Sequence, residues 1–430
     1  MSATSHSSDS SSSGLFVSSG KQPIRTIAYR CRSRQPLAPF IQFIPTMNKH
    51  TPLSEVRRSL RVKWYRSPIA HPRLRELSRR SDLRGAFQAF GHLSLWAMTG
   101  ALCYYFFKQR VWAAFAAALY LHGTVGSFFK GIAGHELSHG TVFAAAWLNR
   151  LLLRIYSVLG WWNCQEYAMS HTYHHRYTLY PEGDREVVLP RNPTLRFLAL
   201  LQLFTVNVAF DTESNGIIPT LRRIFLTAFN RHHGEWPAAL YEGHPEARRQ
   251  AVNWARLVIA FHLVAIGAFI GIGEPILAVL VSGHLFIANG LRYFIGLPMH
   301  CGLRNNVPDF RKCVRTITLN PIVEFLYWHM NWHTEHHMFA GVPCYNLRKL
   351  HDEVKSDMPR PRTLIGAWRE MRRTWRRQQD EPGYQFDTPL PPTARSAITR
   401  EAEAREEDAL EASIGDLAPK ALATPNGAAA

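Results

Sequence analysis

Four long apolar runs, grouped as two pairs with only three residues between the members of each pair, restrict this chain more than any other feature. Residues 86–107 and 111–129 form the first pair, split by Lys108-Gln109-Arg110; residues 252–272 and 276–298 form the second, split by Gly273-Glu274-Pro275. Each run is close to the roughly 20 residues that a helix needs to cross a bilayer. Backbone N–H and C=O groups find no water in lipid, so a spanning segment has to pair them internally, and a helix does so. The pattern predicts an all-α membrane protein with four transmembrane helices in two hairpins. Both turns then lie on one side, and the termini and the long central segment on the other. Ten Lys and Arg stand between Val56 and Arg84, before the first span, against two in its turn. Flanks rich in Lys and Arg stay on the cytoplasmic side. The termini and central segment are therefore expected to be cytoplasmic.

The rest of the chain divides around these spans. Residues 1–55 are rich in Ser and Arg and nearly free of acids, which suits either a disordered tail or an organellar targeting peptide, and Met47 offers a second start. Residues 56–85 form a basic cytoplasmic flank, residues 86–377 the membrane domain, and residues 378–430 a second disordered tail. Of two further apolar stretches, Val142–Trp162 is expected along the membrane surface because it carries Arg150 and Arg154, and Phe197–Phe210, too short to span, is expected as an interfacial or core helix. Six scattered cysteines include no C-x-x-C pair, so reduced thiols are expected rather than a disulfide framework. The net charge of +18 concentrates beside the apolar runs, and no nucleic-acid motif accompanies it; nucleic acid is not expected as a partner.

Three histidine clusters carry the chemistry. They are His135-Glu136-Leu137-Ser138-His139 after the second run, His171-Thr172-Tyr173-His174-His175 in the central segment, and His333-Thr334-Glu335-His336-His337 after the fourth. All three fall on the expected cytoplasmic side, near membrane ends. On a helix, residues three or four apart share a face, so His135 and His139 can point at one metal. Adjacent residues diverge by about 100°, so His174 and His175, or His336 and His337, can serve different metals. Eight imidazoles exceed the needs of one tetrahedral ion and suit two metals in a cytoplasmic helical cap. Imidazole accepts iron, copper, nickel and zinc alike.

Two other readings compete. The first cluster is literally H-E-x-x-H, the zinc metallopeptidase pattern with Glu136 as general base, which suggests an intramembrane protease but leaves both H-x-x-H-H clusters unexplained. A metal transporter places its histidines within the spans, whereas these lie outside them. Inside the last run, His284, Asn289 and Arg292 should face the bundle, or Arg292 should reach toward the interface; His122 and His262 are expected as packed core residues. Trp161 and Trp162 are expected in an interfacial aromatic belt, with the wall of an apolar tunnel as their other reading.

With its three clusters in this order and two spans before the last, the chain resembles the integral-membrane fatty acid desaturase and hydroxylase superfamily over roughly residues 86–351. The stretch from His333 to His351, HTEHHMFAGVPCYNLRKLH, is similar to the third box and trailing helix of acyl-lipid desaturases. The resemblance implies a centre of two iron ions with dioxygen as co-substrate, and a kinked apolar tunnel for the substrate chain. It also implies one more ligand histidine before the third box, a place that His300 fits, with a helix-end cap as its other reading. The ligand set is then His135, His139, His171, His174, His175, His300, His333, His336 and His337. Glu136, Asp184 and Glu335 are candidates to hold ligand imidazoles by their free N–H groups, or to be surface ion-pair residues, and His329, one turn before His333, is expected to support the ligands without being one of them. No His-Pro-Gly-Gly haem motif appears, since His244-Pro245 is followed by Glu246, so a separate electron donor of cytochrome b5 or ferredoxin type is expected on the basic face. The expected reaction is desaturation of an acyl-lipid, acyl-carrier, sphingolipid or other lipophilic substrate, with hydroxylation on the same centre as the alternative.

Overall fold

The computed structural model describes residues 50–187, 194–212 and 214–396. Nearly all of its regular structure is helical. Short strand pairs are the exceptions, such as Ile317–Thr318 running parallel to Arg362–Thr363. Two helices of 27 residues dominate, Asp82–Lys108 and Pro245–Gly271. Ser81 caps the first by accepting the Arg84 N–H, and a proline opens the second, where no N–H is needed.

Among the described residues, Pro245–Gly271 is the one helix long and apolar enough to cross a membrane. Asp82–Lys108 matches its length, but Gln88, His92, Ser94 and Thr99 dilute its apolar run. Trp112–Ser127 is shorter, 16 residues, because the chain leaves helical geometry at Lys130 and Gly131.

The fourth run, expected as one span over 276–298, is instead broken. An α-turn Pro275–Ala278 passes into a π-turn Val279–Gly283 and a 3-10 turn His284–Phe286; helix resumes only at Gly290–Gly296. Outside groups compete for this backbone. His122 Nε2 meets the Leu280 carbonyl at 2.9 Å, Trp161 Nε1 donates to Ser282 O at 2.7 Å, and Thr124 donates to Ala288 O at 3.1 Å. The Asn207 N–H donates to Phe286 O at 2.7 Å, and Ala288 N–H to Thr205 O at 2.8 Å. These freed main-chain groups thus find partners inside the protein.

The two hairpin turns meet: Lys108 Nζ lies 2.6 Å from Glu274 Oε1. Large apolar side chains point outward from these helices, among them Met98 (63% exposed), Leu263 (63%) and Val264 (71%), a surface that suits lipid rather than water.

At the opposite end sits the cap, whose core includes Leu137, Trp328, Met338, Leu347 and Leu350. The basic flank folds onto it as the helices Leu53–Ser59 and His71–Leu77, which bury Leu53, Val56, Leu74 and Leu77. The boundary expected at residue 55 therefore moves to about 50. Residues 378–396 also depart from the expected tail. Phe386 N–H donates to Gly302 O at 2.8 Å, and Arg395 N–H donates to Asp357 Oδ1 at 2.7 Å, so this segment straps the cap. The remainder of both expected tails lies outside the described residues. Trp161 and Trp162 form no interfacial belt. Both are buried: Trp161 stacks on His262 at 3.7 Å, and Trp162 packs over Gly134, where the missing side chain leaves room for the indole.

Candidate metal centre

Each histidine cluster sits on a short helix aimed at one point. Gly134–Ser138 follows the kink at Lys130–Gly131; Cys164–Tyr177 is capped by Asn163, which accepts the Gln165 and Glu166 N–H groups; His333–Met338 is wholly buried in the cap. Together they assemble two groups. His135, His139, His171, His175 and His336 each offer a ring nitrogen, all within 4.8 Å of one another, and His174, His300, His333 and His337 do the same. Both adjacent pairs are split, as the 100° divergence requires: His174 and His175 go to different groups, as do His336 and His337. The groups adjoin, with the His175 and His337 rings stacked at 4.3 Å.

The outward-facing ring nitrogens are fixed by a surrounding layer. Glu136 Oε1 accepts His135 Nδ1–H at 2.9 Å, Asp184 Oδ2 accepts His174 Nδ1–H at 2.9 Å, and the Cys313 carbonyl accepts His300 Nδ1–H at 3.2 Å. The Thr178 hydroxyl donates to the His174 carbonyl at 2.7 Å, so its oxygen accepts from His337 Nδ1 at 3.1 Å. Glu186 had no sequence signal beyond standing two residues after Asp184. It takes His171 Nδ1 at 3.2 Å on one oxygen and the Ser170 hydroxyl at 2.5 Å on the other. Burial opposes its ionisation, but the His171 charge and hydrogen bond, with help from His174 and Ser170, hold its carboxyl down at about 2. Burial pushes the Glu136 carboxyl well above its usual range.

Two sequence candidates lie elsewhere. Glu335 accepts from His351 Nδ1 (2.6 Å) and Thr316 (2.6 Å) instead of holding a box imidazole, because its side chain points back into the cap. His329 pairs with Glu324 at 3.0 Å and is partly exposed.

A cation fits this arrangement. With Nδ1–H donated outward, His135 and His337 each keep a buried Nε2 lone pair that has no hydrogen-bond partner in the protein. Such a group is costly to bury alone, and a metal ion turns it into a ligand bond. Facing Nε2 atoms stand 3.2 Å apart in His139–His171 and in His175–His336, and 3.0 Å apart in His300–His333. Bonds of about 2.1 Å to one ion, roughly at right angles, place nitrogens at such separations. Burial, followed by the neighbouring imidazoles, pushes His135, His139, His175, His333, His336 and His337 well below the usual histidine range, so they are neutral donors near pH 7. Five donors in one group exceed a tetrahedral zinc site.

A cavity of about 110 Å3 touches both groups, through His135 and His171 of one and His174, His300 and His333 of the other; Tyr167, Glu186, Arg292 and Tyr327 complete its polar wall. Arg292 was expected to face the bundle or reach toward the interface; it lines this cavity.

Residues 110–368, more than half of the chain, match a family model described as fatty acid desaturase. No curated protein matches it.

Proposed function

From the premise that the chain belongs to the fatty acid desaturase family, a family of membrane-associated oxidoreductases, we propose that it is an oxygen-dependent di-iron desaturase of a fatty acyl or related lipid chain, held in the membrane by four spans with its histidines on the cytoplasmic side. The observation that carries the reading is the pair of adjoining imidazole groups with buried, unpartnered Nε2 lone pairs. Two irons held there supply redox chemistry that no side chain offers: one dioxygen, two outside electrons and two protons, with a –CH2–CH2– unit, give –CH=CH– and two waters.

The protein's own part is positional. His135, His139, His171, His175 and His336 would hold one iron, and His174, His300, His333 and His337 the other. Glu136, Glu186, Asp184, Thr178 and the Cys313 carbonyl orient the rings by accepting their Nδ1–H protons. Burial of the second group and of His135, His171 and His336 in the first limits the access of bulk water to a reactive site. Multi-pass insertion is supported by the outward apolar side chains and by the meeting of the two hairpin turns at the end opposite the histidines. The basic cytoplasmic face suits a separate acidic electron donor of cytochrome b5 or ferredoxin type. A single-zinc protease is disfavoured, because it leaves the second group of imidazoles without a task.

Metal counting and lipid analysis test the reading together. Purified protein should hold two irons per chain. Expression in a host of known lipid composition should yield a product lighter by two mass units, or heavier by sixteen if a hydroxyl forms instead. His336→Ala should abolish either product. Full activity of that variant, or activity without iron, overturns the assignment.

A further inference from the structure

Among the described residues, Arg292 is the one guanidinium on the wall of the cavity that both histidine groups share. Its Nε is buried without a hydrogen-bond partner, and no ion pair reaches it among the described residues. The ionisable groups that act on it are the phenols of Tyr327 and Tyr167, which line the same cavity. Glu186 is the acid of that wall, but its oxygens are taken by His171 and Ser170. The position is also built: Gly131, at φ +73°, passes so close that a Cβ there would lie 2.6 Å from Arg292 Nη2. An arginine kept beside a metal centre without an acid of its own is unfavourable unless something negative arrives to pair with it. Its planar fork matches a carboxylate in two parallel hydrogen bonds.

We propose that Arg292, flanked by Tyr167 and Tyr327, binds the carboxylate of the substrate, and that the oxidised carbon lies close to that carboxylate. Size carries the second half. The cavity of about 110 Å3 is well below the roughly 300–1,000 Å3 of pockets that enclose a drug-sized ligand. Arg292 lines it together with His135, His171, His174, His300 and His333. The carboxylate end and the reacting C–H are therefore near neighbours in one molecule. Where the product forms rests on the di-iron reading; the carboxylate site does not.

The test uses full-length protein, with radiolabelled palmitate displaced by unlabelled palmitate or by methyl palmitate. The acid should compete better than the ester by roughly tenfold to a hundredfold, as expected for a charge-assisted hydrogen-bonded pair. Arg292→Gln should bring the two within about twofold of each other, while Arg292→Lys keeps part of the preference. Equal competition by acid and ester in the unaltered protein, which needs no variant to fold, overturns the proposal, as does an Arg292→Gln protein that retains the preference. With iron and an electron donor, the new double bond or hydroxyl should fall at the carboxylate end of the chain; a mid-chain product overturns that placement. A retained acid preference with no oxidised product from any substrate sinks the di-iron reading instead and leaves the carboxylate site standing.

Discussion

Replacing Asp184 by asparagine should weaken one metal and spare the other. Asp184 is buried, and its Oδ2 accepts both His174 Nδ1–H and the Leu179 N–H, each at 2.9 Å, while Oδ1 accepts the Glu186 N–H at 3.1 Å. Asparagine has the same shape but a single carbonyl oxygen. Whichever way it turns, its NH2 faces an N–H donor on one side, and the negative charge that holds the imidazole is gone. A hydrogen bond to a charged group contributes about 1.5–3 kcal/mol, or roughly a tenfold to hundredfold change in an equilibrium. Partners of metal-bound imidazoles independently contribute about 10–100-fold in metal affinity. His174 belongs only to the group with His300, His333 and His337. Dialysis against graded chelator, followed by iron analysis, should therefore show one of the two irons released at a chelator concentration lower by at least about tenfold, the other at its original concentration. An unchanged release curve refutes the orienting role. Simultaneous loss of both irons, with a native melting profile, refutes the division into two groups.

Glu186→Gln should mirror this at the other iron, because Glu186 holds His171 of the five-histidine group; the same chelator series checks it. Gly134→Ala should lower thermal stability by about 1–3 kcal/mol through overpacking, since the added Cβ would lie 2.1 Å from Trp162 Cζ2, and displacement of the adjoining His135 should reduce bound iron; melting curves and iron content read both. The metal-free protein should lose stability as pH falls below about 6.5, because its unfolded chain binds protons there while the buried His135, His333, His336 and His337, with lowered folded pKa values, resist them. Each such group contributes a slope of up to about 1.4 kcal/mol per pH unit, so a urea midpoint that stays flat from pH 7 to 5 contradicts the buried-neutral state of these rings.

The parts of this molecule readable in advance are those that depend on spacing alone. The i, i+4 spacing of His135 and His139 brings both to one group, and the adjacent pairs split because a helix turns 100° per residue. Direction within the tertiary fold was not readable. Glu335 sits inside a histidine cluster yet turns toward His351, while Glu186, eleven residues beyond the second cluster, reaches back to His171. Hydropathy correctly marked residues 276–298 as apolar, but it could not register that His122, Thr124 and residues 205–207 compete for their backbone. Nor could composition separate a basic residue reaching for the interface from one lining a cavity, because Arg292 differs from its neighbours only in where its helix ends up. The strap over residues 384–396 escaped for a similar reason: Phe386 and Arg395 anchor it through their own main-chain N–H groups, to the Gly302 carbonyl and the Asp357 carboxylate, and those donors leave little trace in the side-chain identity of the strap.

The interrupted fourth run has a consequence for how this protein tolerates change. Its conformation is dictated by carbonyl and amide atoms that nearly every residue type possesses, and they are gripped by His122 and Thr124 from another helix and by Trp161 from the turn before Cys164–Tyr177. Apolar side chains between Val279 and Phe286 can therefore be exchanged for others of similar bulk at small cost. The vulnerability has been exported to those distant grips: losing one leaves a main-chain group without its partner inside the protein, and a defect there would be felt at Arg292, one helical segment further on.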